Sequence, residues 1–142
     1  MSADLLIDNS AWVRLSDPSL PDSRAIEIGD DFDGQRVAVC LPFLLEAGFS
    51  AVDSRDHSEL QNDLLVLPFL PIDEEIEQRA LDAQAQLARA GHHRLPPADL
   101  IIGALADRHE IGVLHYDADF DVLLAKTDLD FESVWLMPRG SL

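Results

Sequence analysis

Short apolar runs alternate with longer stretches of helical periodicity along most of the chain, and this alternation limits the fold more than any other feature. Strand-like runs are Leu5-Leu6-Ile7, residues 36–40, 67–72, 111–116 and 133–137. Helical stretches cover residues 11–15, 21–32, 42–50, 55–66, 73–90, 98–109 and 119–125. Ile76, Ala80, Ala83 and Leu87 recur at helical steps, and Ile101, Ile102 and Leu105 form a second apolar stripe. Pro42 suits a first helical turn, where its missing N–H is not needed. Pro68 and Pro71 mark residues 67–72 as an edge strand. An order β-α-α-β-α-α-β-α-α-β-α-β predicts a largely parallel sheet with helices on both faces, within a single domain spanning residues 1–142.

Lysine and arginine number 10 against 27 acidic residues, a formal charge of −17. A bare surface this acidic repels nucleic acid. Either the carboxylates serve solubility, or some converge on hard cations and the chain meets a polyanion through metal and a few arginines. A basic partner segment is expected for such a surface. No apolar run approaches the roughly 20 residues of a membrane span, and the N-terminus lacks the basic and apolar parts of a signal peptide, so a cytoplasmic protein is expected. The single cysteine, Cys40, lies in Val37-Ala38-Val39-Cys40 and reads as a buried strand residue rather than a nucleophile.

Four acids fall where such a sheet can bring them to one edge. Asp8 and Asp117 each follow an apolar strand, Asp99 stands in the first turn of a helix, and Glu46 projects from the helix after the second strand. Each has a plainer reading: Asp8 as a turn cap, Glu46 as the exposed flank of an amphipathic helix. Crowded carboxylates raise one another's pKa unless a cation compensates, and oxygen-only ligands suit Mg2+ or Mn2+ over zinc. Such ions bind phosphodiesters and activate water.

The segments Leu-Leu-Ile-Asp8-Asn9-Ser10, Leu-Leu-Glu46-Ala, Pro-Pro-Ala-Asp99-Leu-Ile-Ile-Gly-Ala-Leu-Ala and Leu-His115-Tyr-Asp117-Ala-Asp119-Phe-Asp together resemble the PIN-domain nucleases, most nearly the VapC toxins of bacterial toxin–antitoxin pairs. The likeness spans almost the whole chain. It implies a three-layer α/β/α fold around a mostly parallel sheet of four to five strands. It also implies an endoribonuclease in which Asp8, Glu46, Asp99 and Asp117 bind Mg2+ or Mn2+ and water is the nucleophile. A VapB-like antitoxin, an RNA substrate and a homodimer are the partners it implies. The apolar helices around Leu44-Leu45 and Leu64-Leu65 are candidates for the dimer contact.

Supporting roles follow from neighbouring residues. Ser10 either supports the metal site or simply caps a helix, and Asn9 is its neighbour in that turn. His115 stands where many relatives carry threonine or serine, and its imidazole can supply the missing hydrogen bond. Asp119 is a candidate to join Asp117 as a ligand, but Asp117 directly ends its strand and is favoured, with Asp119 expected to cap the next helix. Arg94, ahead of Asp99, is the residue expected to contact phosphate. His92-His93 read as a solvated helix end, and Trp12 as a buried or interface aromatic or, less commonly, a base-stacking platform.

Other classes fit less well. A receiver-like signalling module needs paired acids at the first strand and a lysine after the last strand, whereas the only lysine is Lys126, within a helix. A Mg2+ phosphohydrolase needs an Asp-x-Asp pair that Asp8-Asn9-Ser10 lacks. An RNA-processing PIN nuclease outside a toxin–antitoxin pair, and a non-catalytic metal-binding relative, remain open.

Overall fold

The computed structural model describes residues 3–92 and 94–142. Its sheet has four parallel strands in the order β2-β1-β3-β4, where β1 is Leu5–Ile7, β2 Val37–Ala38, β3 Gly112–His115 and β4 Ser133–Trp135. The first strand of the chain is therefore interior: Leu6 pairs with Ala38 on one side and with Val113 on the other. Leu6 and Ile7 point to opposite faces of the sheet, yet both are fully buried, as are Val113 and Leu114. Both faces are covered, which is why the two central strands read as unbroken apolar runs.

Among the described residues, seven helices connect the strands: α1 (Asn9–Trp12), α2 (Asp22–Asp33), α3 (Leu41–Phe49), α4 (Ser54–Leu64), α5 (Glu74–Arg89), α6 (Pro97–His109) and α7 (Asp119–Lys126). Asp53 and Asp73 cap α4 and α5 by accepting from Asp56 and Ile76 amides. Pro42 lies in the first turn of α3, as its missing N–H allows.

The expected fifth strand does not form. Residues 67–72 contribute a single parallel bridge, Phe69 to Val39, flanked by Val39 N–H to Pro68 O and Leu70 N–H to Val39 O bonds. Pro68 and Pro71 lack the N–H a longer ladder would require, so the segment pairs through one residue only. The strands expected at 36–40 and 133–137 are likewise shorter, at two and three residues.

Helix α6 is the buried spine. Asp99, Leu100, Ile102, Gly103, Ala104, Leu105 and Ala106 are all buried, a wider set than the expected stripe, of which Ile102 and Leu105 are buried and Ile101 half-buried. It packs against α3, α5, α7, β1 and β3, and a helix apolar all round is one with neighbours all round. A Cβ at Gly103 would lie only 3.2 Å from Leu123 and Leu129 methyls, so glycine permits the close approach there. Burial of this helix carries Asp99, in its first turn, into the protein.

Candidate metal centre

Strand order 2-1-3-4 puts the reversal of the sheet between β1 and β3, and ligands of open α/β sheets gather outside the carboxyl ends of the strands at such a point. Asp8 and Asp117 stand there. The Asp8 amide still donates to Leu114 O at 2.9 Å, so the ladder holds to the last residue before the chain turns. The Asp8 carboxylate accepts from the Ser10 amide at 3.0 Å and from the Ser10 hydroxyl. Ser10 Oγ in turn accepts from the Tyr116 amide at 2.9 Å. Ser10 therefore ties the ends of β1 and β3 together, and Asp8 caps α1 while lying at the sheet's switch point.

Asp117, Asp119 and Asp99 converge: one carboxylate oxygen from each lies within 4.8 Å of the others. The expectation for Asp119 needs correcting. The α7 start is held by Asp117, whose Oδ1 accepts from the Asp119 amide at 2.9 Å. Asp119 makes no cap and instead turns its carboxylate into the cluster. Asp99 is 5% exposed, and its Oδ2 has no hydrogen-bond partner among the described residues. Glu46 is exposed on α3 and, like Asp8, lies outside the tight trio.

Charge nevertheless links all five. Burial, then Asp8, Asp117, Asp119 and Glu46 in that order, push the Asp99 carboxyl up to about 8. Burial raises Asp8, with Asp117 adding to it against the opposing Ser10 hydrogen bonds. Glu46 is raised by desolvation and then by Asp8, and Asp119 by desolvation and then by Asp117. A buried carboxylate oxygen without a partner, beside two more carboxylates and no sulfur or imidazole donor, fits a hard divalent cation. Asp99, Asp117 and Asp119 are placed to hold it, with Asp8 the strongest neighbouring charge on Asp99.

His115 hydrogen-bonds through both ring nitrogens at the end of β3. Its Nδ1 accepts from the Asp117 amide at 3.1 Å, which assigns the proton to Nε2, 2.8 Å from Ser133 Oγ. Ser133 donates onward to Asp121 Oδ1 at 2.6 Å, and Trp135 Nε1 donates to Asp121 Oδ2 at 3.0 Å. Burial drives the imidazole down to about 4 despite Asp121 and Asp117. The ring is fully buried and packs on Phe120 and Trp135, so a neutral His115 fixes the backbone from which Asp117 projects.

The remaining candidates fall elsewhere. Trp12 packs edge-on against Phe32 and Phe43, a half-buried core aromatic. Cys40 is buried and its thiol is pushed up to about 12, chiefly by burial, so it is inert. Asn9 Oδ1 is a second buried oxygen without a partner among the described residues. Arg94 is exposed in the turn before α6, His92 is exposed, and His93 lies outside the described residues. A cavity of about 1260 Å3 lies at the other end of the strands, lined by Asp4, Glu75, Arg79, Asp107, Arg108 and Glu132. Its arginines are paired with Glu75 and Asp107.

Fold and cluster define a parallel α/β protein with a carboxylate site at the switch point of its sheet. The family model described as PIN domain matches residues 5–124. The VapC ribonuclease Mb1587 of Mycobacterium bovis is 35% identical over 132 residues, covering 91% of this chain and 98% of that protein. Ribonuclease VapC2 of Mycobacterium tuberculosis is 40% identical over 145 residues, with 96% of each covered. Among solved structures, the DNA-bound VapBC from Salmonella typhimurium superposes with a TM-score of 0.72 at 16% identity, covering 95% of this chain and 99% of that one, a likeness of fold. The chain belongs to the PIN-domain family, and relatives matching nearly its full length are VapC ribonucleases.

Proposed function

We propose that this protein is a Mg2+- or Mn2+-dependent endoribonuclease and the toxin of a type II toxin–antitoxin pair. The observation that carries the reading is the Asp99, Asp117 and Asp119 cluster with its unpartnered buried oxygen, in a chain similar to VapC ribonucleases. Asp99, Asp117 and Asp119 hold the ion, with Asp8 and Glu46 supplying further negative charge from β1 and α3. When bound, the ion lowers the pKa of the attacking water and offsets charge on the phosphodiester. Ser10 fixes the Asp8 carboxylate, and His115 fixes the backbone of Asp117.

The antitoxin is a VapB-like chain acting with the protein in the cytoplasm. Leu41, Leu45 and Phe49 form an exposed apolar stripe along α3, the helix that also carries Glu46, and Val52 is exposed just beyond its end. A partner with an apolar helix and arginines would cover that stripe and neutralise the acidic rim beside it. A homodimer of this chain would use the exposed Leu65 and Val66 at the end of α4. Among the described residues, no helix is long and apolar enough to cross a membrane.

The test is purified protein, freed of any partner, incubated with structured RNAs in Mg2+, Mn2+ or chelator. Cleavage should require the ion and disappear in Asp99→Asn and Asp117→Asn variants that remain folded. Equal cleavage in chelator, or in both variants, would overturn the reading. A small neighbouring reading frame whose product binds both DNA and this protein is the expected partner, checked by co-expression and pull-down.

A further inference from the structure

With 27 acidic residues against 10 basic ones, an arginine without a carboxylate partner is conspicuous. Five of the nine arginines, Arg24, Arg36, Arg55, Arg79 and Arg108, make ion pairs. Arg14 makes none among the described residues, yet it is firmly held. Its Nη1 donates to Ser10 O at 2.8 Å, and its guanidinium carbon lies 4.6 Å from the centre of the Tyr116 ring. Both anchors adjoin the acidic site. Ser10 hydrogen-bonds the Asp8 carboxylate, and Tyr116 directly precedes Asp117.

We infer that Arg14 is a phosphate-binding residue of the RNA site, gripping a backbone phosphate next to the one held at the carboxylate cluster; this rests on the ribonuclease reading above. An arginine has five N–H donors in a planar fork, and the contact to Ser10 O uses only one. The rest are available to a phosphate, which takes two parallel hydrogen bonds from such a fork. Stacking on Tyr116 and the bond to Ser10 fix the fork in advance, which lowers the ordering cost of binding. Arg14 is half-buried and held against Ser10 and Tyr116, the residues next to Asp8 and Asp117, so it offers a fixed positive charge to a polyanion on this side of an otherwise acidic chain. Unlike Arg94, which is exposed in a turn, Arg14 is joined to the site through two residues of known contact.

The test uses the full chain freed of partner and a fluorescein-labelled single-stranded RNA. Binding is measured in an Asp99→Asn background across a salt series, and cleavage in Mn2+ with Asp99 intact. Arg14→Ala should weaken binding about tenfold, the effect of losing a charge-assisted hydrogen bond. It should also flatten the slope of log affinity against log salt by about 0.7, one phosphate's share on a single strand. In cleavage, KM should rise more than kcat falls. Arg14→Gln keeps an N–H for Ser10 O, so its sharing the binding loss assigns the effect to charge rather than to a disturbed turn. Arg55→Ala, which removes an exposed charge on α4, should bind RNA as the unmodified chain does, and the rise in Tm on adding Mn2+ should be the same in Arg14→Ala. Unchanged affinity and salt slope in Arg14→Ala, with RNA still cut by the unmodified chain, overturns the Arg14 inference alone. RNA neither bound nor cut by the unmodified chain overturns the ribonuclease reading and this inference with it.

Discussion

Asp99 is a carboxylate buried where four others oppose its charge, and the folded protein pays for it in stability until a cation arrives. Its folded pKa, about 8, lies above the ordinary 3.8, so the folded state binds more protons than the unfolded one between those values. The stability it contributes is full below about pH 4 and lost as pH rises through about 8. In chelator, Tm should fall as pH rises from about 4 to about 8, and Asp99→Asn should raise Tm at pH 8; Mn2+ should raise Tm in the unmodified chain and little in the variant. Thermal unfolding over a pH series checks this, and a lower Tm for Asp99→Asn in chelator would sink it. His115 has the opposite sign: buried neutral, its pKa is lowered from 6.5 to about 4, so its contribution is present above pH 6.5 and lost as pH falls through 4. His115→Phe keeps the ring between Phe120 and Trp135 but strands the Asp117 amide and removes the donor to Ser133 Oγ, and should cost about 2 kcal/mol in urea unfolding. Asp99 and Asp117 were legible in sequence because each adjoins an apolar run or a helix start. Asp119 was misread because an acid just inside a helix looks like its cap, and which of two nearby acids caps is decided by the turn geometry at Asp117. The His115 network depends on Ser133 and Asp121, which only the pairing of β3 with β4 and the start of α7 bring near.

Helix α6 shows how far an element can be known from its pattern. Its start after Pro96 and its apolar content were readable, whereas its burial on nearly every side depended on where α5 and α7 lie. The edge segment at 67–72 was overread because apolar and aromatic residues signalled a strand, while Pro68 and Pro71 limited it to a single bridge. Two exchanges at α6 have opposite expected signs. Gly103→Val would drive methyl groups into Leu123, Leu129 and Phe131 and should destabilise by about 1–3 kcal/mol. Glu110 ends the helix at φ +55°, a left-handed conformation unfavourable to side chains, so Glu110→Gly should stabilise by about 0.5–1 kcal/mol. Urea unfolding midpoints at constant m-value distinguish the two.

For the whole molecule, the acidic surface and the exposed apolar stripe ask for the same kind of partner. Phe43 and Ala47 turn α3 inward, whereas Leu45 at 64% and Phe49 at 92% exposure contribute little to the fold of the free chain. Their exposure was hidden in the sequence, where the helix reads as apolar almost all round; only its packing beside α1, α4 and α6 leaves one face open. Phe49→Ser combined with Leu45→Ser should therefore leave urea stability within about 0.5 kcal/mol, because exposed side chains carry little folding energy. Phe43→Ala, by contrast, should cost about 3–5 kcal/mol. If the stripe seats the antitoxin, the double variant should bind it roughly 100-fold more weakly, the size expected from losing apolar anchors at an interface centre. RNA cleavage by the free protein should be unchanged, because neither residue reaches the carboxylates. Titration calorimetry with the co-purified partner checks the affinity. Undiminished binding would move the antitoxin to another face of the molecule.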